Sequence, residues 1–317
     1  MKPIVTLTLN PSIDGSAQTD VVRPIRKIRT SNERYDPGGG GINVARVIHE
    51  LGGDTSALYL AGGFTGGVLD DLIAAAGIMR HRIPIQDHTR ISNAIYETSS
   101  GLEYRFVPEG PVVREEEWQA CLSALEQVEC DYFVASGSLP RGVPARFYTI
   151  VADIVARKRA KLVLDTSGEA LQAAIEHGAI SLIKPSLGEL ETLVGRKLND
   201  ASEQESAAKQ LVQAGSVEIV ALTLGKDGAL LVTARQTLRL RPPDVPVRSA
   251  VGAGDSFLGA MTLGLTQGRA VDDAFVYGVA AGAAAVMSPG TELCRREDVE
   301  RLYREIKQRP AVPMTSR

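Results

Sequence analysis

Short apolar runs recur along this chain: Ala57 to Ala61, Tyr132 to Ala135, Leu162 to Leu164, Leu182 to Ile183 and Ile219 to Leu224. Each is continuous rather than alternating. A strand with one face in water alternates apolar and polar residues, whereas a strand buried on both faces does not. Between the runs lie stretches of helical period. Val44, Val47, Ile48 and Leu51 keep an i, i+3, i+4, i+7 spacing that stops at Gly52-Gly53. Leu69, Leu72, Ile73 and Ala76 repeat it before Gly77, and Trp118, Cys121, Leu122, Leu125 and Val128 form a third face. The pattern predicts an α/β fold, a three-layer sandwich with a mostly parallel central sheet covered by helices. In open sheets of this kind ligands gather at the carboxyl ends of the strands, so the loops that follow each run are where a site is expected.

Two segments break the rhythm. Residues 13–36 and 90–107 are polar, extended in character and free of helical period, and the turn Ser99-Ser100-Gly101 separates Ala94-Ile95-Tyr96 from Tyr104-Arg105-Phe106. They predict one small β-sheet that stands off a body formed by residues 1–12, 37–89 and 108–308. Such a sheet serves as a lid, and its exposed face or edge as the interface of a homodimer. Residues 309–317 read as a flexible tail.

Charge narrows the partners. Thirty-five basic and 38 acidic residues leave a net charge of −3, with no long run of either sign. Neither nucleic acid nor membrane is the expected partner; a small molecule is. Cys121, Cys130 and Cys294 are odd in number and lack metal-ligand spacing. With no apolar segment long enough for a signal core or a membrane span, a reducing cytoplasmic setting is expected.

Two glycine clusters carry the chemistry. In Ser249-Ala250-Val251-Gly252-Ala253-Gly254-Asp255, the glycines open what reads as an apolar helix. Free N–H groups at a helix N-terminus bear partial positive charge, and glycine lets a phosphate come close to them. Gly252, Ala253 and Gly254 therefore form an anion hole beside Asp255, a carboxylate able to take the proton of an attacking alcohol. The second cluster, Asp36-Pro37-Gly38-Gly39-Gly40-Gly41-Ile42-Asn43, also leads into a helix and suits a hydroxyl-rich ligand. Neither cluster fits a dinucleotide fingerprint: the third glycine would stand at Asn43 or at Phe257. A P-loop fails as well, because Gly225-Lys226 is followed by Asp227. A dehydrogenase is thereby disfavoured.

Taken together with Thr8-Leu9-Asn10-Pro11-Ser12-Ile13-Asp14, Ser136-Gly137-Ser138-Leu139-Pro140, Lys184-Pro185 and Thr223-Leu224-Gly225-Lys226-Asp227-Gly228-Ala229, in this order, the chain resembles the ribokinase-like (pfkB) carbohydrate kinases nearly end to end. The all-glycine run and Gly290-Thr291-Glu292-Leu293-Cys294 resemble the non-P-loop bacterial 6-phosphofructokinase type within that family.

The resemblance implies an ATP-dependent kinase that phosphorylates the 1-hydroxyl of fructose 6-phosphate, with Mg²⁺ and possible use of K⁺. Kinases of tagatose 6-phosphate or fructose 1-phosphate are the near alternatives, and a non-catalytic sugar-phosphate or nucleotide sensor the distant one. It also implies roles. Asp14, Gly39, Asn43 and Ser138 meet the sugar, while Lys27, Arg90 and Arg105 meet its phosphate. Lys184, Ser186, Thr223, Gly225 and Gly228 meet the nucleotide. Glu189 serves Mg²⁺ through water, and Ser249, Val251, Ser288 and Gly290 surround a monovalent cation. Two positions depart from the family pattern: Ser186 stands where an asparagine is common, and Ala250 where a threonine is.

Overall fold

The computed structural model describes residues 3–308; the expected flexible tail, 309–317, lies outside them. In chain order the elements are β1 (Ile4–Thr8), β2 (Ser12–Thr19), β3 (Ser31–Gly38), α1 (Gly40–Glu50), β4 (Thr55–Gly62), α2 (Gly63–Ala75), β5 (Met79–Ile85), β6 (Arg90–Glu97), β7 (Leu102–Phe106) and α3 (Glu115–Gln127). There follow β8 (Tyr132–Ser136), α4 (Phe147–Arg157), β9 (Lys161–Asp165), α5 (Gly168–His177), β10 (Ile180–Ile183), α6 (Leu187–Val194), α7 (Ala201–Gln213) and β11 (Val217–Thr223). The chain continues with β12 (Ala229–Thr233), β13 (Thr237–Leu240), α8 (Ala253–Thr266), α9 (Val271–Ala285) and α10 (Arg296–Gln308).

The main sheet has nine strands in the order β13-β12-β11-β10-β9-β8-β1-β4-β5. It is parallel from β5 through β11 and ends in the antiparallel β12–β13 hairpin. Alternate residues of each strand point to opposite helix layers, as a two-sided strand requires. In β8, Phe133 and Ala135 join the layer that contains Trp118, Phe147, Leu171 and Ala208, while Val134 joins Val44, Phe257, Phe275 and Leu302 on the other side. Every apolar run singled out in the sequence lies on one of these strands. The edge strand β5 was not legible, because Met79-Arg80-His81-Arg82 is largely exposed and carries no apolar run.

Strand order reverses at β1, which has β8 on one side and β4 on the other. The crevice at its carboxyl end is the expected ligand position in such a sheet. Directly after β1 the chain enters a separate four-stranded sheet, β3-β2-β6-β7. Ser12 stands opposite Arg90 and Asp14 opposite Ser92 in the parallel β2–β6 pair. Period-2 geometry therefore sets Ser12, Asp14 and Arg90 on one face of the small sheet, toward the crevice.

Candidate active site

Two helix N-termini meet at this crevice. The N-cap of α8 is Gly252 in the left-handed region, φ 72°, and no side chain caps the helix. A side chain at Gly252 would be strained by that φ and would also strike Leu293. The first-turn amides of α8 are thus left for an anion. Likewise α1 begins at Gly39, φ 105°, without a side-chain cap. Asn43 in its first turn donates from Nδ2 to Oδ2 of Asp255 at 2.9 Å.

A cavity of about 200 Å³ lies between these helices and the small sheet, and Asp14, Gly39, Asn43, Arg90, Arg105 and Asp255 all line it. Asp14 accepts a hydrogen bond from Ser12 Oγ at 2.5 Å. Burial pushes its carboxyl above the usual carboxylate range, against the Ser12 bond and the charges of Arg90, Arg46 and Arg105. Arg90 is held by two carbonyls: Nη1 donates to Pro108 O at 2.9 Å and Nη2 to Asn10 O at 2.8 Å. Its Nε is buried with no protein partner. That leaves a rigid guanidinium with a donor in reserve, which suits a phosphate oxygen.

Beneath the start of α8 lies Lys184, just past the end of β10 and 7% exposed. Its Nζ pairs with Asp165 Oδ1 at 3.2 Å, and Asp165 in turn accepts from Ser136 Oγ at 3.2 Å. A methyl group on Gly254 would come within 3.1 Å of the Lys184 Nζ, so the ammonium sits directly under the anion hole. Burial disfavours its charge, but the carboxylates of Asp165, Asp255 and Glu189 outweigh this and hold the ammonium above its ordinary pKa. Burial and then the neighbouring Asp165 push Asp255 up to about 6, opposed by the Asn43 bond and by Lys184. A carboxylate in that range is well matched to general-base work near neutrality.

On the far side of the Gly252–Asp255 turn is a second cavity of about 670 Å³. Ser186, Thr223, Gly225 and Gly228 line it, as do Ala253 and Gly254. Its remaining wall is mostly apolar, with Val245, Phe257, Val279 and Ala283. Ser186 caps α6: its Oγ accepts from the Glu189 N–H at 3.3 Å, while its own N–H and Oγ donate to Glu189 Oε2 at 2.7 and 2.9 Å. This capping box turns the Glu189 carboxylate back onto the helix start. Among the described residues no group of three or more His, Cys, Asp or Glu side chains forms a metal cage. One carboxylate and one hydroxyl fit Mg²⁺ that arrives with nucleotide phosphates and keeps its waters, with Glu189 as an outer contact.

The residues assigned to a monovalent cation lie on two adjoining loops. The N–H groups of Arg248 and Ser249 both donate to Val286 O, at 2.8 and 3.4 Å, which ties segment 248–251 to the chain just before Ser288 and Gly290. Ser249 and Ser288 are buried. The donor set, hydroxyls and backbone carbonyls beside a buried turn, fits a weakly hydrated cation.

Of the residues assigned to the sugar phosphate, two do not line the small cavity. Lys27 is exposed in the connection between β2 and β3 and does not line the small cavity. Ser138 is exposed after β8 and accepts at 3.3 Å from the side chain of Asn10, the residue whose backbone carbonyl holds Arg90. Sequence reasoning passed over Asp165, Asp36 and Arg46. Asp165 ends the run Leu162 to Leu164, so the rule that strand ends carry ligand groups could have found it. Arg46 stands three residues after Asn43, on the same face of a helix.

Comparison with known proteins gives a consistent picture. The model of the pfkB family carbohydrate kinases matches residues 8–298. The ATP-dependent 6-phosphofructokinase isozyme 2 of Mycobacterium tuberculosis is 45% identical over 302 residues, 95% of this chain and 88% of that protein. The structure of phosphofructokinase-2 from Escherichia coli in complex with fructose-6-phosphate superposes with a TM-score of 0.92 at 37% identity, over 97% of this chain and 100% of that one. The same enzyme in complex with potassium gives a TM-score of 0.94 at 38% identity, with the same coverage. Proteins named 1-phosphofructokinase and tagatose-6-phosphate kinase are more distant, at 31% in Borreliella burgdorferi and 29% in Staphylococcus epidermidis.

Proposed function

The chain belongs to the pfkB family of carbohydrate kinases, and on that premise we propose that it transfers the γ-phosphoryl group of ATP to the 1-hydroxyl of fructose 6-phosphate, giving fructose 1,6-bisphosphate. The Gly252–Asp255 turn carries this assignment. It is the partition between the two cavities: Ala253 and Gly254 line the large apolar one, Gly252 and Asp255 the small charged one. A nucleotide in the first and a sugar phosphate in the second would bring donor phosphate and acceptor hydroxyl to opposite sides of one set of helix amides.

In this reading Asp255 accepts the proton of the 1-hydroxyl as it attacks in line, and the amides of Gly252, Ala253 and Gly254 take up charge on the transferring group. Lys184 adds a fixed positive charge under that hole. Asp14, Gly39 and Asn43 orient the sugar, while Arg90 and Arg105 bind its phosphate. Ser186 and Glu189 would meet the waters of a Mg²⁺ ion, which would supply charge neutralisation to the nucleotide phosphates, and the 249–251 and 288–290 loops would hold a K⁺ ion, which would supply fixed positive charge near the start of α8.

The small sheet closes as a lid. It exposes Tyr35, Ile91, Leu102 and Phe106, and a second copy of the chain covers this surface in a homodimer. Lys27 meets a sugar phosphate only in that assembly or after movement of its loop. No helix among the described residues is long and apolar enough to cross a membrane. Three buried thiols support a reducing, cytoplasmic setting.

The test is ATP consumption by the purified protein with Mg²⁺ and K⁺, comparing fructose 6-phosphate, tagatose 6-phosphate, fructose 1-phosphate and free fructose. The highest kcat/KM is expected for fructose 6-phosphate. A higher value for another sugar phosphate overturns the substrate assignment, and no turnover with any of them overturns the kinase activity.

A further inference from the structure

Asn43 can serve Asp255 only in one of its two amide orientations. With Nδ2 toward the carboxylate it donates; turned over, it would set its carbonyl oxygen against the carboxylate. Nothing in Asn43 itself chooses between them. Asp255 favours the donating orientation only while it is ionised; Arg46, three residues on along α1 and always charged, favours it at any pH. Its Nη1 donates to Asn43 Oδ1 at 3.3 Å and to Pro37 O at 3.0 Å, and its Nη2 to Asp36 Oδ1 at 3.3 Å. An inverted Asn43 would present its NH₂ to this guanidinium, donor against donor.

Asp36, which holds Arg46, is itself over-determined. It is 6% exposed, takes Arg34 Nε at 2.9 Å and Nη2 at 3.1 Å, and accepts from Thr291 Oγ1 at 2.7 Å. A connected series of polar contacts therefore runs from Thr291 and Arg34 through Asp36, Arg46 and Asn43 to Asp255. The Arg46 side chain, 14% exposed, does not line the small cavity, although its charge acts on Asp14 and Asp255.

We propose that Arg46 is a positioning residue for phosphoryl transfer, locking the Asn43 carboxamide in the orientation that donates to Asp255. It deepens the kinase function proposed above and rests on it. Without Arg46 only Asp255 itself holds the amide, and the hydrogen bond to its ionised form is weakened.

Other groups also act on Asp255 and stay in place when Arg46 is changed: Asp165 at the end of β9, Lys184 after β10 and Asp14 on β2. Arg90 and Arg105 share its cavity. Their contribution is common to wild type and variants, so a difference between these reports on Arg46. Removal of a hydrogen bond to the charged form, together with a nearby cation, raises a carboxyl pKa.

The test is a double-mutant cycle read by pH rather than by rate alone. Arg46→Met, Asn43→Ala and the double variant are compared through the acid limb of kcat/KM for fructose 6-phosphate, which reports the free enzyme. The ¹³C shift of the Asp255 carboxyl is followed in the same proteins labelled at aspartate. Arg46→Met should move the limb upward by roughly one pH unit in the wild-type background and by clearly less once Asn43 is alanine, where only the direct charge of Arg46 on Asp255 is left to lose. Equal shifts in both backgrounds would mean that Arg46 acts by charge alone, and an unmoved limb that it does not act on Asp255; either overturns the proposal.

Arg46→Lys guards against a variant that fails to fold. It keeps a charge beside Asp36, but a point ammonium does not bridge three acceptors as a guanidinium does. A smaller upward shift is expected, and a wild-type profile counts against positioning. If the wild-type protein does not phosphorylate fructose 6-phosphate, the substrate assignment fails, while the carboxyl titration still decides the role of Arg46.

Discussion

The two cavities on either side of the Gly252–Asp255 turn are built on different principles. The smaller, about 200 Å³, is walled by charged and amide side chains that are tied to one another: Asp14 to Ser12, Arg90 to two carbonyls, Asn43 to Asp255. The larger, about 670 Å³, is walled by backbone turns and small apolar side chains. In the first, these side chains have defined partners, and loss of one strands another. In the second, the contact is spread over many residues, none of which is individually decisive. Substitutions should therefore act sharply and selectively on the sugar side and weakly on the nucleotide side.

The contrast is broken most directly at the partition. Asp255→Asn should fold and bind both substrates but lose roughly 10² to 10⁴ in kcat or more; steady-state kinetics beside ATP-binding measurements would show it, and near-normal turnover would remove Asp255 from the mechanism. Next in size is Arg90→Ala. It should raise KM for fructose 6-phosphate by roughly 10²-fold and leave KM for ATP within a few-fold. Equal weakening of both substrates would mean that the two cavities are not independent.

The pH response should sharpen the comparison further. The base must be ionised, so with Asp255 at about 6 the value of kcat/KM is steady above that pH and falls about tenfold per unit below it. The same shift has a stability consequence of opposite sign. A carboxyl raised from 3.8 to about 6 binds its proton more tightly when folded, so its contribution to stability falls as pH rises through that window. Asp255→Asn should accordingly gain about 1–3 kcal/mol at pH 8 and little at pH 4, measured by urea unfolding. The smallest effect belongs to the apolar cavity: Val245→Ala should raise KM for ATP by about three- to fivefold without change for the sugar. A loss like that of Arg90→Ala would contradict the idea of a diffuse nucleotide wall.

Much of this architecture was legible without coordinates. The continuous apolar runs at Ala57 to Ala61 and Ile219 to Leu224 predicted strands covered on both faces; the first lies in the fully buried β4 and the second forms most of β11, whose centre is buried. The change of period at residues 13–36 and 90–107 marked a sheet of another kind, and β2, β3, β6 and β7 form it. The Gly252–Asp255 turn was legible too, because a glycine-led helix start with an early carboxylate declares itself locally, whereas the other residues around the two cavities were assigned through the family resemblance. The strand β5 escaped notice because Met79-Arg80-His81-Arg82 is exposed on both faces and so carries no apolar period. Asp165, Asp36 and Arg46 escaped for another reason: each is an ordinary charged residue until its partner is known.

By itself, then, the sequence determined what depends on neighbours in the chain: the strand and helix periods, the two glycine-led helix starts and the side chains that they carry. The tertiary structure alone decided what depends on approach between distant segments. It brought Asn43 to Asp255 across 212 positions, Thr291 to Asp36 across 255, and Lys184 under Gly254. The physical reason lies in range. Backbone preference and hydrophobic period act over a few residues, whereas the ionisation of Asp255 and the orientation of Asn43 are set by charges and donors that only the folded core packs within a few ångströms.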